Sequence, residues 1–199
     1  MIERNETARI EAFSDGVFAI AITLLVLDLK VPRELPAGTT LGKALLAQWP
    51  VFAAYLTSFA TIGIMWMNHH YLFTVIRRSD HSLLILNSLL LLMVTFIPFP
   101  TALLAEYYGK DGEHLAADIY AGSFFIIAII FNVLWRYASY RNRLLGHDID
   151  SATVEGIHKS FRFGPLLYLG ALILAFLNVA ASVGLCFGLA AFFALPKKK

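Results

Sequence analysis

The amino-acid sequence predicts an all-α integral membrane protein with a single transmembrane domain over residues 1–199. Hydrophobic residues make up 58% of the chain and charged residues only 15%, whereas a soluble domain carries roughly a quarter charged residues. The mean hydropathy is +0.68, and the apolar residues gather into long runs. Each run approaches or exceeds the about 20 residues that a helix needs to cross a bilayer.

Six transmembrane helices follow from these runs taken in order. The last run, 163–195, is too long for one helix of ordinary tilt and short for two, so we divide it at its least apolar part, 178–182 (NVAAS). Five helices, with this run undivided, are the alternative. The expected helices cover about 8–30, 49–73, 82–105, 118–138, 163–178 and 181–195.

The first apolar run could be mistaken for a secretory signal peptide. It carries Asp15, lacks a small-x-small cleavage site, and precedes several further apolar runs. These features are typical of a retained helix rather than of a cleaved signal.

Proline and glycine divide the later runs. Pro50 falls in the first turn of the second helix, where its missing N–H costs nothing, and Pro98 with Pro100 should kink or break the third. Gly184 and Gly188 form a ridge of small residues that lets another helix approach closely. We expect packing within one chain there more than a subunit contact.

The basic residues predict the orientation. With both termini in the cytoplasm, twelve Lys and Arg fall inside and four outside, as the positive-inside rule requires. Five helices would place the terminal lysines outside. The inner set is Arg4, Arg9, Arg77, Arg78, Arg136, Arg141, Arg143, Lys159, Arg162, Lys197, Lys198 and Lys199, and the outer set is Lys30, Arg33, Lys43 and Lys110.

Several function classes are excluded by composition. The net charge of +2 and the scattered basic residues argue against nucleic acid as a partner. One cysteine, Cys186, allows neither an internal disulfide nor a thiolate metal site. Glu106, His114 and Asp118 share an exterior loop without the spacing of a metal motif, so we expect neither an enzyme nor a bound metal or cofactor.

One apolar stripe runs along the first helix. With about 100° of rotation per residue, Phe13, Gly16, Ile20, Leu24 and Leu27 share a face, and Thr23 flanks it. Ser14 and Asp15 point away from this stripe, near the expected cytoplasmic boundary. An ordinary seam between helices has the same spacing and is the alternative interpretation.

The carboxylate of Asp15 needs a partner at this depth. Trp66 and His69, three residues apart on the second helix, share a face and can both donate hydrogen bonds to it, with Ser14 joining them. Simple anchoring at the headgroup level is the alternative, since Trp collects there. His69 and His70 are adjacent and point apart, which makes them poor co-ligands for a metal.

The motif R-x-x-x-F-S-D, formed by Arg9, Phe13, Ser14 and Asp15, opens the first helix, and Trp66-x-x-His69 lies in the second. This pattern resembles the transmembrane-protein-175 family of potassium channels, in its shorter bacterial form. The resemblance implies a homotetramer whose first helices line a central pore. It also implies that the motif residues, with Trp66 and His69, form a structural polar cluster behind that helix.

On this resemblance Ile20, Leu24 and Leu27 are the constricting residues. A hydrophobic constriction gates by dewetting and favours potassium, which holds its hydration shell less tightly than sodium. We therefore expect a potassium-permeable channel of modest selectivity. Other monovalent cations and protons are further candidates for permeant ions. Two roles stay open: Thr23 either offers its hydroxyl to the ion or bonds back to its own helix, and Asp28 either attracts cations or pairs with Lys30 or Arg33.

Other transport mechanisms fit the sequence less well. The stretches 61–65 (TIGIM) and 182–186 (SVGLC) echo a carbonyl filter, but each lies inside a continuous apolar run that should remain helical. A cation or proton-coupled secondary transporter is the alternative function. Such proteins usually show paired repeats and broken helices at mid-membrane, and only the break near Pro98 is present.

Overall fold

The computed structural model describes residues 6–33, 35 and 38–194, and every described regular element is a helix. Arg4 and the lysines at 197–199, which entered the predicted orientation, lie outside the described residues. The helices are α1 Ala8–Leu24, α2 Leu41–Ala47, α3 Trp49–Val75, α4 His81–Phe96, α5 Pro98–Tyr107, α6 Glu113–Ser139, α7 Ser151–Arg162, α8 Gly164–Ala175 and α9 Val179–Ala194.

Within the described ranges, four helical segments are long and apolar enough to cross a membrane. They are Ala8–Asp28, Trp49–Val75, His81–Tyr107 and Glu113–Asn142. The helices α8 and α9 supply the two remaining apolar segments, so the order of six predicted segments is present. The 12 residues of α8 rise only about 18 Å at 1.5 Å each, less than the thickness of the hydrocarbon core.

The break between α8 and α9 lies nearer the N-terminus than the sequence predicted. The amide N–H of Ala181 donates to Asn178 Oδ1 (2.9 Å), so Asn178 caps α9 and the helix begins at Val179. Ser182, expected in the break, lies inside α9 and donates from Oγ to the carbonyl of Ala171 (2.7 Å). A polar residue thus joins two helices here instead of separating them.

The third predicted span is broken where its prolines fall. The helix α4 ends at Phe96 and α5 begins at Pro98, with Ile97 at the junction. Neither proline can donate a backbone hydrogen bond. Across the break, Ser58 Oγ of α3 lies 2.7 Å from Thr101 Oγ1 of α5, which ties the second half of the span to its neighbour.

The helix α6 lies at the centre of the bundle, in contact with α4, α5, α8 and α9. Trp135, Tyr120 and Phe124 are fully buried along it. Two short helices had no counterpart in the prediction: α2, and the amphipathic α7 that follows α6. Their sequences are too short or too polar to register as apolar runs.

The start of α1 is tied to the end of α3. The amide N–H of Glu6 donates to the carbonyl of Arg77 (3.2 Å), the Thr7 hydroxyl donates to the carbonyl of Ile76 (3.3 Å), and the N–H of Ser79 donates to Glu6 Oε2 (3.1 Å). These bonds bring the first turns of α1 beside the last turns of α3, which is the region that carries Trp66 and His69.

Candidate functional site

The helix α1 buries one face against α3 and α4. Ser14, Phe18, Ala21 and Leu25 are each at most 1% exposed. Their spacing of three or four residues gives a single stripe along the helix. The Phe18 ring lies 5.4 Å from the His69 ring, measured between centroids.

The opposite face of α1 is exposed on the single chain. The exposed fractions are 66% for Phe13, 58% for Ile20, 41% for Leu24 and 69% for Leu27. A Cβ added to Gly16 would meet nothing within 4 Å. The predicted apolar stripe is therefore not a seam between helices of the same subunit.

The last turn of this stripe has a different geometry from the one the helical wheel assumed. The α-helix ends at Leu24, and Leu25–Asp28 form a 3-10 helix. Such a helix turns about 120° per residue, so three residues complete one turn and Leu27 stays above Leu24. Tighter winding keeps the face continuous.

The hydroxyl of Thr23 bonds back to its own helix, donating to the carbonyl of Ile20 (2.9 Å). This is the ordinary arrangement of a threonine inside a helix. The bond uses the hydroxyl proton and leaves oxygen lone pairs on an exposed side chain.

One polar pair joins α1 to α3 near the exposed edge of the subunit. The indole Nε1 of Trp66 donates to Asp15 Oδ1 at 2.8 Å. The Trp66 ring also stacks on His70, with centroids 6.0 Å apart. Asp15 therefore has a specific donor, and the carboxylate reaches away from the apolar stripe.

A second, fully buried polar chain runs across three helices. Asn87 of α4 donates from Nδ2 to Ser14 Oγ (3.0 Å), and its Oδ1 lies 2.9 Å from His69 Nε2. Because that amide oxygen can only accept, Nε2 of His69 is the donor in this bond. The Ser14 hydroxyl in turn donates to the carbonyl of Ile10 (2.8 Å).

These hydrogen bonds differ from the ones that the sequence predicted. We expected the imidazole of His69 to be available to Asp15, but it bonds to Asn87 instead, and the ring is sandwiched in the core with its centroid 4.5 Å from that of Phe73. Asn87 was missed because it lies in a long leucine run. An amide inside an apolar span is itself a signal, since unpaired polar groups are costly there.

The remaining candidates lie apart from this cluster. Arg9 and Phe13 are on the exposed side of α1, and among the described residues no hydrogen bond joins Arg9 to either polar group. Asp28 ends the 3-10 turn, with Lys30 near enough to act on it electrostatically.

The other sequence candidates do not assemble into a site. Glu106 pairs with Lys110 (2.7 Å), while His114 Nδ1 lies 2.8 Å from the carbonyl of Ala175. Within the described part of the chain, no group of three His, Cys, Asp or Glu could hold a metal ion. Gly63 and Gly184 lie inside α3 and α9, where backbone carbonyls serve the helix and cannot form a filter.

Residues 9–98 match the family described as endosomal/lysosomal potassium channel TMEM175. A protein of Chamaesiphon minutus named as a potassium channel is 55% identical over 97% of this chain and 96% of its own length. A protein of Bos taurus named as the endosomal/lysosomal proton channel TMEM175 is 35% identical. That match covers 84% of this chain but only 36% of the longer protein.

The fold is also similar to a solved structure. A crystal structure of a lysosomal potassium-selective channel TMEM175 homolog from Chamaesiphon minutus superposes with a TM-score of 0.88 and 51% identity. The superposition covers 98% of this chain and 99% of that one.

Proposed function

This chain belongs to the TMEM175 family of endosomal/lysosomal potassium channels, and we propose on that premise that it is a potassium-permeable cation channel. The relatives just described carry potassium-channel names in one case and a proton-channel name in the other. The single structural observation that supports this proposal, and that identifies the pore-lining residues, is the exposed apolar face of α1. The chemistry is transport and not catalysis.

The channel is a homotetramer in which α1 of each subunit faces a shared axis. Ile20, Leu24 and Leu27 project from a helix whose other face is already fully packed within its own subunit. Four such faces around an axis would bury their apolar side chains against one another and leave a narrow passage. Ile20 forms the narrowest ring, and the two leucines form rings further outward.

This passage conducts through a hydrophobic constriction. An apolar neck holds water poorly and gates by dewetting. An ion that passes it gives up part of its hydration shell, and potassium gives it up more readily than sodium. The result is modest selectivity for potassium, without a carbonyl filter.

The hydroxyl of Thr23 contributes at the edge of the neck. Its proton is committed to the carbonyl of Ile20, so the oxygen presents only lone pairs to a passing cation. That polarity suits a partly dehydrated potassium ion and does not suit an anion.

The polar cluster positions the pore helix and does not bind the ion. The Asp15 carboxylate accepts from Trp66, and Ser14 is held by Asn87. The first bond lies near the exposed edge of α1 and the second lies on its buried side. Together they fix the rotation of α1 about its own axis. Rotation of one step, about 100°, would carry Ile20 off the pore.

The channel crosses the plasma membrane of a bacterial cell, with both termini in the cytoplasm. The four long apolar helices support a multi-pass protein. The excess of Lys and Arg on one side supports the orientation.

Proton permeation is the second candidate, because the animal relatives are named as proton channels. A proton-coupled or cation-coupled secondary transporter is the alternative mechanism. Such a carrier would show slow, saturable flux, whereas a pore gives discrete single-channel currents.

The test uses the purified full-length chain in planar bilayers and in liposomes. Potassium gradients should produce single-channel currents. Their reversal potential in mixed potassium and sodium solutions should give a modestly higher permeability for potassium than for sodium. Currents that reverse at the proton equilibrium potential would move the assignment to a proton channel. Saturable flux with no unitary current would replace the channel by a carrier.

A further inference from the structure

A cavity of about 600 Å³ lies between the C-terminal end of α6 and the helix α7. It is far from the polar cluster of α1 in the sequence and is formed by different helices. Its charged lining is mostly basic, with four cations against one carboxylate, and one imidazole lies beside them: Arg136, Arg141, Lys159, Arg162, Glu155 and His158.

The helix α7 presents these groups on one side. Glu155, His158, Lys159 and Arg162 follow each other at intervals of three, one and three residues, and therefore share a face of the helix. The opposite side is anchored in the core, since Ile157 is 1% exposed and Phe161 stacks near Phe131 with centroids 6.1 Å apart. The basic face is thus held in place by burial of its reverse side.

The arginines of this cavity make no hydrogen bonds that hold the fold together in the described part of the chain. Arg78, outside the cavity, shows what a structural arginine does here: its guanidinium donates to the carbonyls of Asn142 and Leu145, each at 2.9 Å. Among the described residues, no hydrogen bond engages the guanidinium groups of Arg136, Arg141 or Arg162.

Aromatic contacts and one weak ion pair are the only partners seen for these cations in the described part of the chain. Arg141 lies over the Tyr140 ring at 5.3 Å and Arg162 over the Phe163 ring at 5.4 Å. Lys159 lies 3.7 Å from Glu155, and both side chains are largely exposed. An exposed pair of this kind contributes little, so the cavity keeps a clear excess of positive charge.

A buried donor in the cavity wall also lacks an acceptor. Trp135 lines the cavity and is 1% exposed. Its indole Nε1 has no hydrogen-bond partner among the described residues. Leaving such a donor unpaired is costly; because the nitrogen itself is buried, the case for an anion rests on the four cations of the lining.

We propose that this cavity binds an anionic phosphate group, of the kind carried by a phospholipid headgroup or by soluble phosphate. One guanidinium group can donate hydrogen bonds to two oxygens of a phosphate at the same time. Basic pockets at the cytoplasmic ends of membrane helices also suit anionic lipid headgroups. The amphipathic α7 lies at the end of a spanning helix, where a membrane surface is within reach. This site is separate from the pore, and its cytoplasmic placement rests on the orientation given in the proposed function.

The test compares cavity variants with a matched control on the same side of the protein. The full-length chain in neutral detergent is titrated with phosphatidylglycerol, and bound lipid is counted by native mass spectrometry against phosphatidylcholine. Removing a cation should weaken phosphatidylglycerol binding about fivefold for each side chain removed. The cavity variants are Arg136→Gln, Arg162→Gln and their combination, and the control is Arg143→Gln, which lies outside the lining.

A second arm identifies the source of the phosphate. If inorganic phosphate displaces phosphatidylglycerol from the wild type, the site accepts a soluble anion, and if it does not, the headgroup is the ligand; both results support the site. Equal affinity in the wild type and the cavity variants, or an equal loss in Arg143→Gln, overturns it. Should the double variant fail to fold by circular dichroism, Lys159→Gln provides the same comparison.

Discussion

The indole Nε1 of Trp66 lies 2.8 Å from Asp15 Oδ1 and donates a hydrogen bond to it across the contact between α3 and α1. This bond explains how a carboxylate is tolerated near the start of an apolar helix. It also turns the carboxylate away from the exposed stripe of Ile20, Leu24 and Leu27, as a hydrophobic pore helix would require.

Replacing Trp66 by Phe should lower the thermal stability of the detergent-solubilised protein. The donor to Asp15 is lost, at a cost of about 1 kcal/mol for a bond at a partly exposed site, and the loss of ring volume is the same as in the control. Trp49→Phe is the control, because Trp49 packs on the Tyr108 ring instead. Equal melting temperatures for the two variants would remove the bond from the account.

Replacing Asp15 by Ala should reduce expression and assembly. The change strands the indole donor and releases the rotation of α1, so we expect fewer tetramers by size-exclusion chromatography with light scattering. If Asp15→Ala assembles normally but loses its preference among cations, the carboxylate acts in the pore and our placement is wrong.

Replacing Ile20 by Asn should raise cation flux in liposomes. A ring of amides at the neck holds water and lowers the dewetting barrier. Ala19→Asn is the matched control, since Ala19 is also exposed on α1 but lies about 100° away from Ile20. Unchanged flux and selectivity for Ile20→Asn, or an equal increase for both variants, would argue against Ile20 as the constriction.

Replacing Asn87 by Leu should destabilise the subunit itself. The nearly isosteric change leaves the buried His69 Nε2 donor without its partner, at about 1–3 kcal/mol for an unsatisfied group. Ser14 Oγ loses the bond it accepts but still donates to the carbonyl of Ile10. The measurement is thermal unfolding in detergent. Ser88→Ala, at an exposed neighbouring position, should change little, and a similar loss in both variants would contradict the role given to Asn87.

Stability should depend on pH through Asp80, which lies outside the spanning segments and caps α4. Burial alone would raise the pKa of this carboxyl. The bonds from the Tyr137 hydroxyl and the Leu83 N–H, with the charge of Arg143, hold the pKa below 3.8. Because the folded pKa is depressed, the stabilisation is present above 3.8 and is lost as the pH falls through the folded value.

The comparison for this group is Asp80→Ala against the wild type. The difference between their melting temperatures should be largest near neutral pH and should shrink as the pH drops below 3.8. Asp111→Ala, in an exposed loop, provides the control. A difference that does not change with pH would mean that the carboxylate charge plays no part.

Much of the fold could be read from the sequence because long apolar runs and prolines act locally. The break at Pro98 follows from a missing N–H, and the face of α1 that carries Ile20 follows from helical periodicity. The start of α9 could not be placed from the sequence. The polar residues Asn178 and Ser182 both indicated a break, but Asn178 caps the helix and Ser182 lies inside it. The short amphipathic α7 gives no apolar run, so hydropathy passes over it.

The polar cluster was only partly predictable for a different reason. The spacing of Trp66 and His69 showed that they share a face, but it could not show which of them meets Asp15. That choice depends on α4, because Asn87 of this helix forms hydrogen bonds with both His69 and Ser14. Long-range partners of this kind are set by helix packing and not by any local pattern.

The central claim is that Ile20 faces a shared axis. The most direct measurement is the structure of the full-length assembly in lipid nanodiscs by electron cryo-microscopy. We predict four subunits with the Ile20 side chains closest to the symmetry axis and Asp15 turned sideways onto Trp66. An assembly in which Ile20 contacts lipid, or is covered by another part of its own subunit, would contradict the account.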